Sequence, residues 1–220
     1  MSAFLSVSAK SRVTKWLLRC GMLSAPLFYA VVIAQIFTRS GFDIRRHAIS
    51  SLTLGDAGWI QCANFIVTGS LTALAAIAIR TVLRGRKGGT WGPLLTAIYG
   101  NGMILAGLFR PDPGLGFPSG APEEAPTTMS GEAAIHSLAF FVAFLALIAA
   151  NIVFARRFAS IGQRRWSSYC IATACLSPLL IVVGMSLVGW VGIIMGIAGI
   201  VAFGFVSALA TRLQLEVTAA

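Results

Sequence analysis

The chain has 220 residues, 57% of them apolar and 11% charged, where soluble domains carry roughly a quarter charged residues; that composition excludes an ordinary water-soluble globule. A formal net charge of +10 would suit a nucleic-acid binder only if the Lys and Arg lined one exposed surface. They stand instead in short clusters between apolar runs, which points away from nucleic acid and towards lipid.

A helix that crosses the hydrocarbon core, about 30 Å thick, needs around 20 mostly apolar residues. The first such run spans roughly Trp16 to Phe37, after the basic Lys10, Arg12, Lys15 and Arg19. A cleaved signal peptide ending near Ala34 is the competing reading, but the apolar stretch from Cys20 to Phe37 exceeds the usual h-region of about 7–15 residues. The second run, Trp59 to Ile79, leads through Arg80, Arg84, Arg86 and Lys87 to a third, Trp91 to Phe109. A Pro/Gly-rich segment from Pro111 to Pro126 precedes the fourth, Ala133 to Ala155, and Arg156, Arg157, Arg164 and Arg165 follow it. The last stretch, Tyr169 to Ala210, carries no charge. As one helix of about 42 residues it would run near 63 Å, about twice the core, so it is read as two spans, about 169–187 and 190–210. Gly184, Ser186, Gly189 and Trp190 mark the reversal, since glycine permits a tight turn and tryptophan favours the interface. The expectation is an all-α integral membrane bundle of six transmembrane helices, one domain over residues 1–220.

Short loops rich in Lys and Arg stay in the cytoplasm. Three basic clusters alternate along the chain, which places both termini in the cytoplasm and the protein in the cell membrane. Asp43, Asp56, Asp112, Glu123, Glu124 and Glu132 then fall in the outer loops, together with Arg39, Arg45, Arg46 and Arg110. The four cysteines, Cys20, Cys62, Cys170 and Cys175, lie within or beside the apolar runs without a C-x-x-C spacing, and read as small packing residues. Gly192 and Gly196, spaced as in GxxxG, suit close helix packing. Asn64, Asn101, Asn151, Gln35 and Tyr99 lie inside spans, where hydrogen bonds between helices are the simplest use for them.

The chemistry-bearing residues gather near the outer face. His47 follows Asp43-Ile44-Arg45-Arg46, with Ser50 close behind; Asp112 follows the third span; Glu132 and His136, four apart, share one face at the start of the fourth. His47, Asp112 and His136 are therefore candidates for a metal or acid/base site, with Glu132 or Ser50 assisting. The alternative is a structural network in which Arg45 or Arg46 pairs with Asp112 or Glu132. Haem between the two histidines suits the pattern less well, because a loop ligand is poorly fixed. No H-E-x-x-H, G-x-S-x-G or phosphate-loop motif occurs.

Over most of its length, from the first span through the fifth, the chain resembles the bacterial six-span membrane family catalogued as domain of unknown function 998. The resemblance rests on Phe42 to Leu52 leading to Gly55 to Gln61, on Asn64, Phe65 and Gly69, on Gly107 to Pro118 with Gly120, and on His136. The family often carries a second histidine where Glu132 stands, and a glycine closely followed by an arginine where this chain has Gly189-Trp190-Val191-Gly192. The resemblance implies fold and topology but no activity. Two functions are therefore expected from the residues. The first is binding of a lipid head group or a protein partner, a second copy included, through Arg45, Arg46, Ser50, Arg110 and Glu132, because guanidinium pairs with phosphate and carboxylate. The second is an interfacial, metal-dependent hydrolase of a membrane lipid using His47, Asp112 and His136. A solute transporter fits less well, since the spans lack buried charge and no repeat relates the two halves.

Overall fold

The computed structural model describes residues 2–219. Among them are six α-helices: α1 (Ser2–Thr38), α2 (Gly58–Val82), α3 (Trp91–Leu108), α4 (Gly131–Ser160), α5 (Arg164–Ser186) and α6 (Val191–Ala219). Two short 3-10 turns, Ile49–Thr53 and Val188–Trp190, lie between them. Several helices run past the apolar stretches: α1 starts ahead of Trp16, and α6 continues beyond Ala210. Hydrogen bonding need not stop where hydrophobicity does, so polar turns extend the helices beyond the apolar segment.

Consecutive helices pack side by side, and α6 returns to α1, so the six close into a ring in chain order. Five are long and apolar enough to cross a membrane. α3 is the exception, because its 18 residues include Pro93, Asn101 and four glycines. Those small residues have a packing reason. A Cβ on Gly100 would meet the Gly69 carbonyl of α2, and one on Gly102 would meet Ala143 of α4, so α3 is held at backbone distance by both neighbours. Lipid tails are as apolar as side chains, and such close van der Waals contact is what holds membrane helices together.

One end of the ring is filled. Leu18, Ile79, Leu83, Phe154, Phe158, Phe205, Leu209 and Leu213 are all buried there, and Arg157, 3% exposed, donates to Lys87 O at 3.3 Å and lies 3.8 Å from Glu216 of α6. Around the outside, Leu23, Ile77, Phe141, Leu179 and Val182 are exposed. Trp16 and Trp91 stand towards one end of this apolar belt and Trp59 and Trp190 towards the other, all more than half exposed, the pattern of interfacial aromatics in a multi-pass membrane protein.

Of the polar residues inside the helices, Gln35 and Asn64 do bridge helices. Gln35 Nε2 donates to Gln61 Oε1 at 2.7 Å, and Asn64 Nδ2 donates to Phe28 O at 3.0 Å. Asn101 and Asn151 do not; each donates to a carbonyl of its own helix, Ala97 and Leu147, at 2.9 Å. The Gly192/Gly196 spacing likewise serves a different contact. A Cβ on Gly192 would overlap the His47 and Ile44 carbonyl oxygens, so this glycine seats a loop, not another helix.

Candidate functional site

The end opposite Arg157 is roofed by two loops, residues 39–57 and 109–130. Arg39 builds the first. Its guanidinium donates to Leu52 O at 3.0 Å and to Leu54 O, and lies 5.4 Å from the Phe117 ring centroid. Burial lowers the Arg39 pKa, with Asp56 opposing that shift. The clamp is used up within the fold and leaves Arg39 no role as an anion receptor.

His47 joins the two loops. Its Nδ1 accepts the Asp43 backbone N–H at 2.9 Å, so Nε2 carries the proton and donates to Leu115 O at 3.0 Å. The ring packs between Phe42 and Phe117, at centroid distances of 5.4 and 5.3 Å, and the residue is 3% exposed. Both ring nitrogens are occupied.

His136 adopts the opposite tautomer. Its Nδ1 lies 3.1 Å from Ala106 O and 2.9 Å from Phe109 O; carbonyls only accept, so Nδ1 carries the proton. Glu132 works beside it on the same helical face, its Oε1 accepting the Arg110 backbone N–H at 3.0 Å. Together they satisfy the frayed C-terminal end of α3, where backbone groups lose their helical partners. Asp112 does the same at the next helix start. Its Oδ2 accepts the Ser130 N–H at 2.9 Å, while Ser130 Oγ accepts from Ala133 N at 3.1 Å and caps α4. The hydrogen bond from Ser130 lowers the Asp112 pKa.

The expected ion pairs are rearranged. Arg45 pairs with Asp43 at 2.8 Å and Arg46 faces Glu123 at 3.8 Å, not Asp112 or Glu132, because those two carboxylates are taken by backbone N–H groups. His47, Asp112 and His136 also go to separate partners. Among the described residues no three His, Cys, Asp or Glu side chains are placed to hold a metal ion. Their hydrogen-bond partners are backbone groups of different segments: Asp43 N–H and Leu115 O for His47, Ala106 O and Phe109 O for His136, and Ser130 N–H for Asp112. The Arg110 guanidinium is exposed and, among the described residues, has no acidic side chain paired with it.

Beneath the loops lies a chamber of about 90 Å³, lined from all six helices and from residues 48–50. Phe28, Phe65, Met103, Phe140, Phe144 and Phe203 form much of its wall, and its polar groups are Ser50, Tyr29, Tyr99 and His136. Tyr29 donates to Gly196 O at 3.3 Å. No feature of the sequence announced the chamber, since its residues are spread from Phe28 to Phe203; a histidine and tyrosines on otherwise apolar helices were the available signal.

A family model described as protein of unknown function (DUF998) matches residues 22–212, and so reaches from the first helix into the sixth. No curated protein matches the chain. No solved structure does either.

Proposed function

The chain belongs to the DUF998 family, and from that premise we propose that it is a six-span protein of the cell membrane, termini in the cytoplasm, that binds an anionic lipid head group at its outer loops. The observation that carries the reading is the free Arg110 guanidinium, on a platform that also bears the exposed Arg45 and Arg46. Arg46 faces the exposed Glu123 at 3.8 Å, and an exposed pair of this kind contributes only about 0–1 kcal/mol, so a phosphate can replace that carboxylate at little cost, whereas Arg45 is held by several hydrogen bonds to the half-buried Asp43. Arginine suits it through bidentate donation. Ser50 and Glu132 belong to the same outer region, but Glu132 would repel an anion and is read as positioning Arg110 through its backbone. A protein partner or second copy offering acidic side chains would use the same guanidinium groups.

For the spans, α3 is about 27 Å long at 1.5 Å per residue, close to the hydrocarbon core, and has neighbours along both sides. The metal-dependent hydrolase on His47, Asp112 and His136 has less support, because both nitrogens of His47 are already bonded within the loops.

The test is thermal unfolding in nanodiscs of phosphatidylcholine with and without phosphatidylglycerol. Added phosphatidylglycerol is expected to raise Tm in the native protein and to do so less in an Arg46→Gln/Arg110→Gln variant. Equal response of the two proteins overturns the reading.

A further inference from the structure

Inside the chamber, the one ring nitrogen left over defines what can be bound. Two carbonyls fix the proton of His136 on Nδ1, and the residue is 6% exposed and lines the chamber. Nε2, on the opposite edge of the ring, has no hydrogen-bond partner among the described residues. With the proton on Nδ1 of a neutral imidazole, this nitrogen can only accept, and it offers that unmet acceptor to whatever enters the chamber. It calls for a donor.

The walls decide the rest. Among the described residues no charged side chain lines the chamber, so an ionised phosphate or carboxylate would be stranded there without a counter-charge. The Phe and Met walls suit methylenes, and Ser50 and Tyr99 supply hydroxyls that can accept or donate beside the histidine. The volume of about 90 Å³ is several times the roughly 10–15 Å³ needed for one water, enough for the end of a chain and not for a whole lipid. Among the lining residues, Phe140 of α4 is 38% exposed and Ile181 of α5 is part-exposed. Pro178, one turn before Ile181, cannot donate to the Ala174 carbonyl, so α5 is held less firmly there. Phe140 lies on the exposed apolar side of α4 with Phe141 and Leu145, a surface that lipid covers in the membrane-spanning reading.

We propose that this chamber receives the hydroxyl end of a neutral long-chain alcohol from the membrane, its O–H donated to His136 Nε2 and its first methylenes lying against Phe28, Phe65 and Phe144. The site goes beyond the head-group reading above and does not depend on it, since the arginines lie in the loops and this ligand carries no charge.

The experiment uses the full chain in detergent, labelled with ¹⁵N-histidine, and three probes: 1-dodecanol, its methyl ether, and dodecanoate at pH 8. Dodecanol is expected to bind saturably and to shift the Nε2 resonance of His136 while that of His47 stays in place. The ether, which has no donor, is expected to bind about tenfold more weakly, the loss of one hydrogen bond, and dodecanoate weaker still. Ile181→Trp, which adds bulk to the chamber wall, is expected to weaken dodecanol binding while Tm stays near the native value. Equal binding of alcohol and ether, tighter binding of dodecanoate, or a His136 resonance indifferent to saturating dodecanol would each overturn the proposal.

Discussion

At the scale of single residues, two histidines of nearly equal burial do different work. His47 uses Nδ1 within its own loop and Nε2 to join that loop to one far along the sequence, whereas His136 uses Nδ1 to close α3. Depth in a span suggests that His136 should matter more to stability. His47 is nonetheless expected to matter more, because it is bonded at both ring nitrogens and packs between two aromatic rings. His47→Ala strands the part-buried Asp43 N–H and Leu115 carbonyl, each costing up to about 1–3 kcal/mol when left unsatisfied, and empties the space between two aromatic rings. It is expected to lower stability by roughly 2–4 kcal/mol, more than His136→Ala, as read by thermal unfolding in detergent. The Asp43 carboxylate gives a pH prediction. Hydrogen bonds from the Arg45 side chain and backbone hold its pKa at about 2, below the ordinary 3.8. Because the folded value is depressed, the stabilisation is complete above the ordinary value and is lost as pH falls through the folded one. Amide exchange in residues 43–47 should therefore quicken between those two values, and Asp43→Asn should remove that pH dependence.

At the scale of elements, the 39–57 loop is seated directly on a helix. Gly192 of α6 lies directly against the His47 and Ile44 carbonyls, so the first turn of α6 supports the loop that His47 ties to Leu115. Gly192→Val would force those carbonyls away from the helix. Overpacking of this kind costs typically about 1–3 kcal/mol, and here it should also open the 39–57 loop to protease from the outer side. Gly196→Ala is the control, because a Cβ there meets only Ile49 Cδ1 at 3.6 Å, an ordinary contact. Equal sensitivity of the two variants would mean that the spacing serves helix packing after all.

At the scale of the whole molecule, a ring closed by α1 against α6 is filled at one end and hollow at the other. The basic clusters fall at the filled end, where Arg157 reaches the Lys87 carbonyl. Under the proposed topology, cysteines placed at Gly85 and Ser160 should label only after the cells are opened, and one at Glu123 should label from outside intact cells. Labelling of Ser160→Cys from outside would remove both the six-span count and the outer position of the chamber.

The sequence by itself determined the solvent, the helical class and the family likeness. Each of these depends on neighbours within about 20 residues, the length over which a chain crosses a bilayer. Tertiary structure alone decided what the polar residues do. The partners of His47 and His136 lie 68 and 30 positions away, and backbone N–H groups, which any residue can supply, took Asp112 and Glu132 from the arginines expected to hold them. The chamber and its free nitrogen exist only where six helices meet, because a cavity is a property of packing between segments and no single segment encodes it.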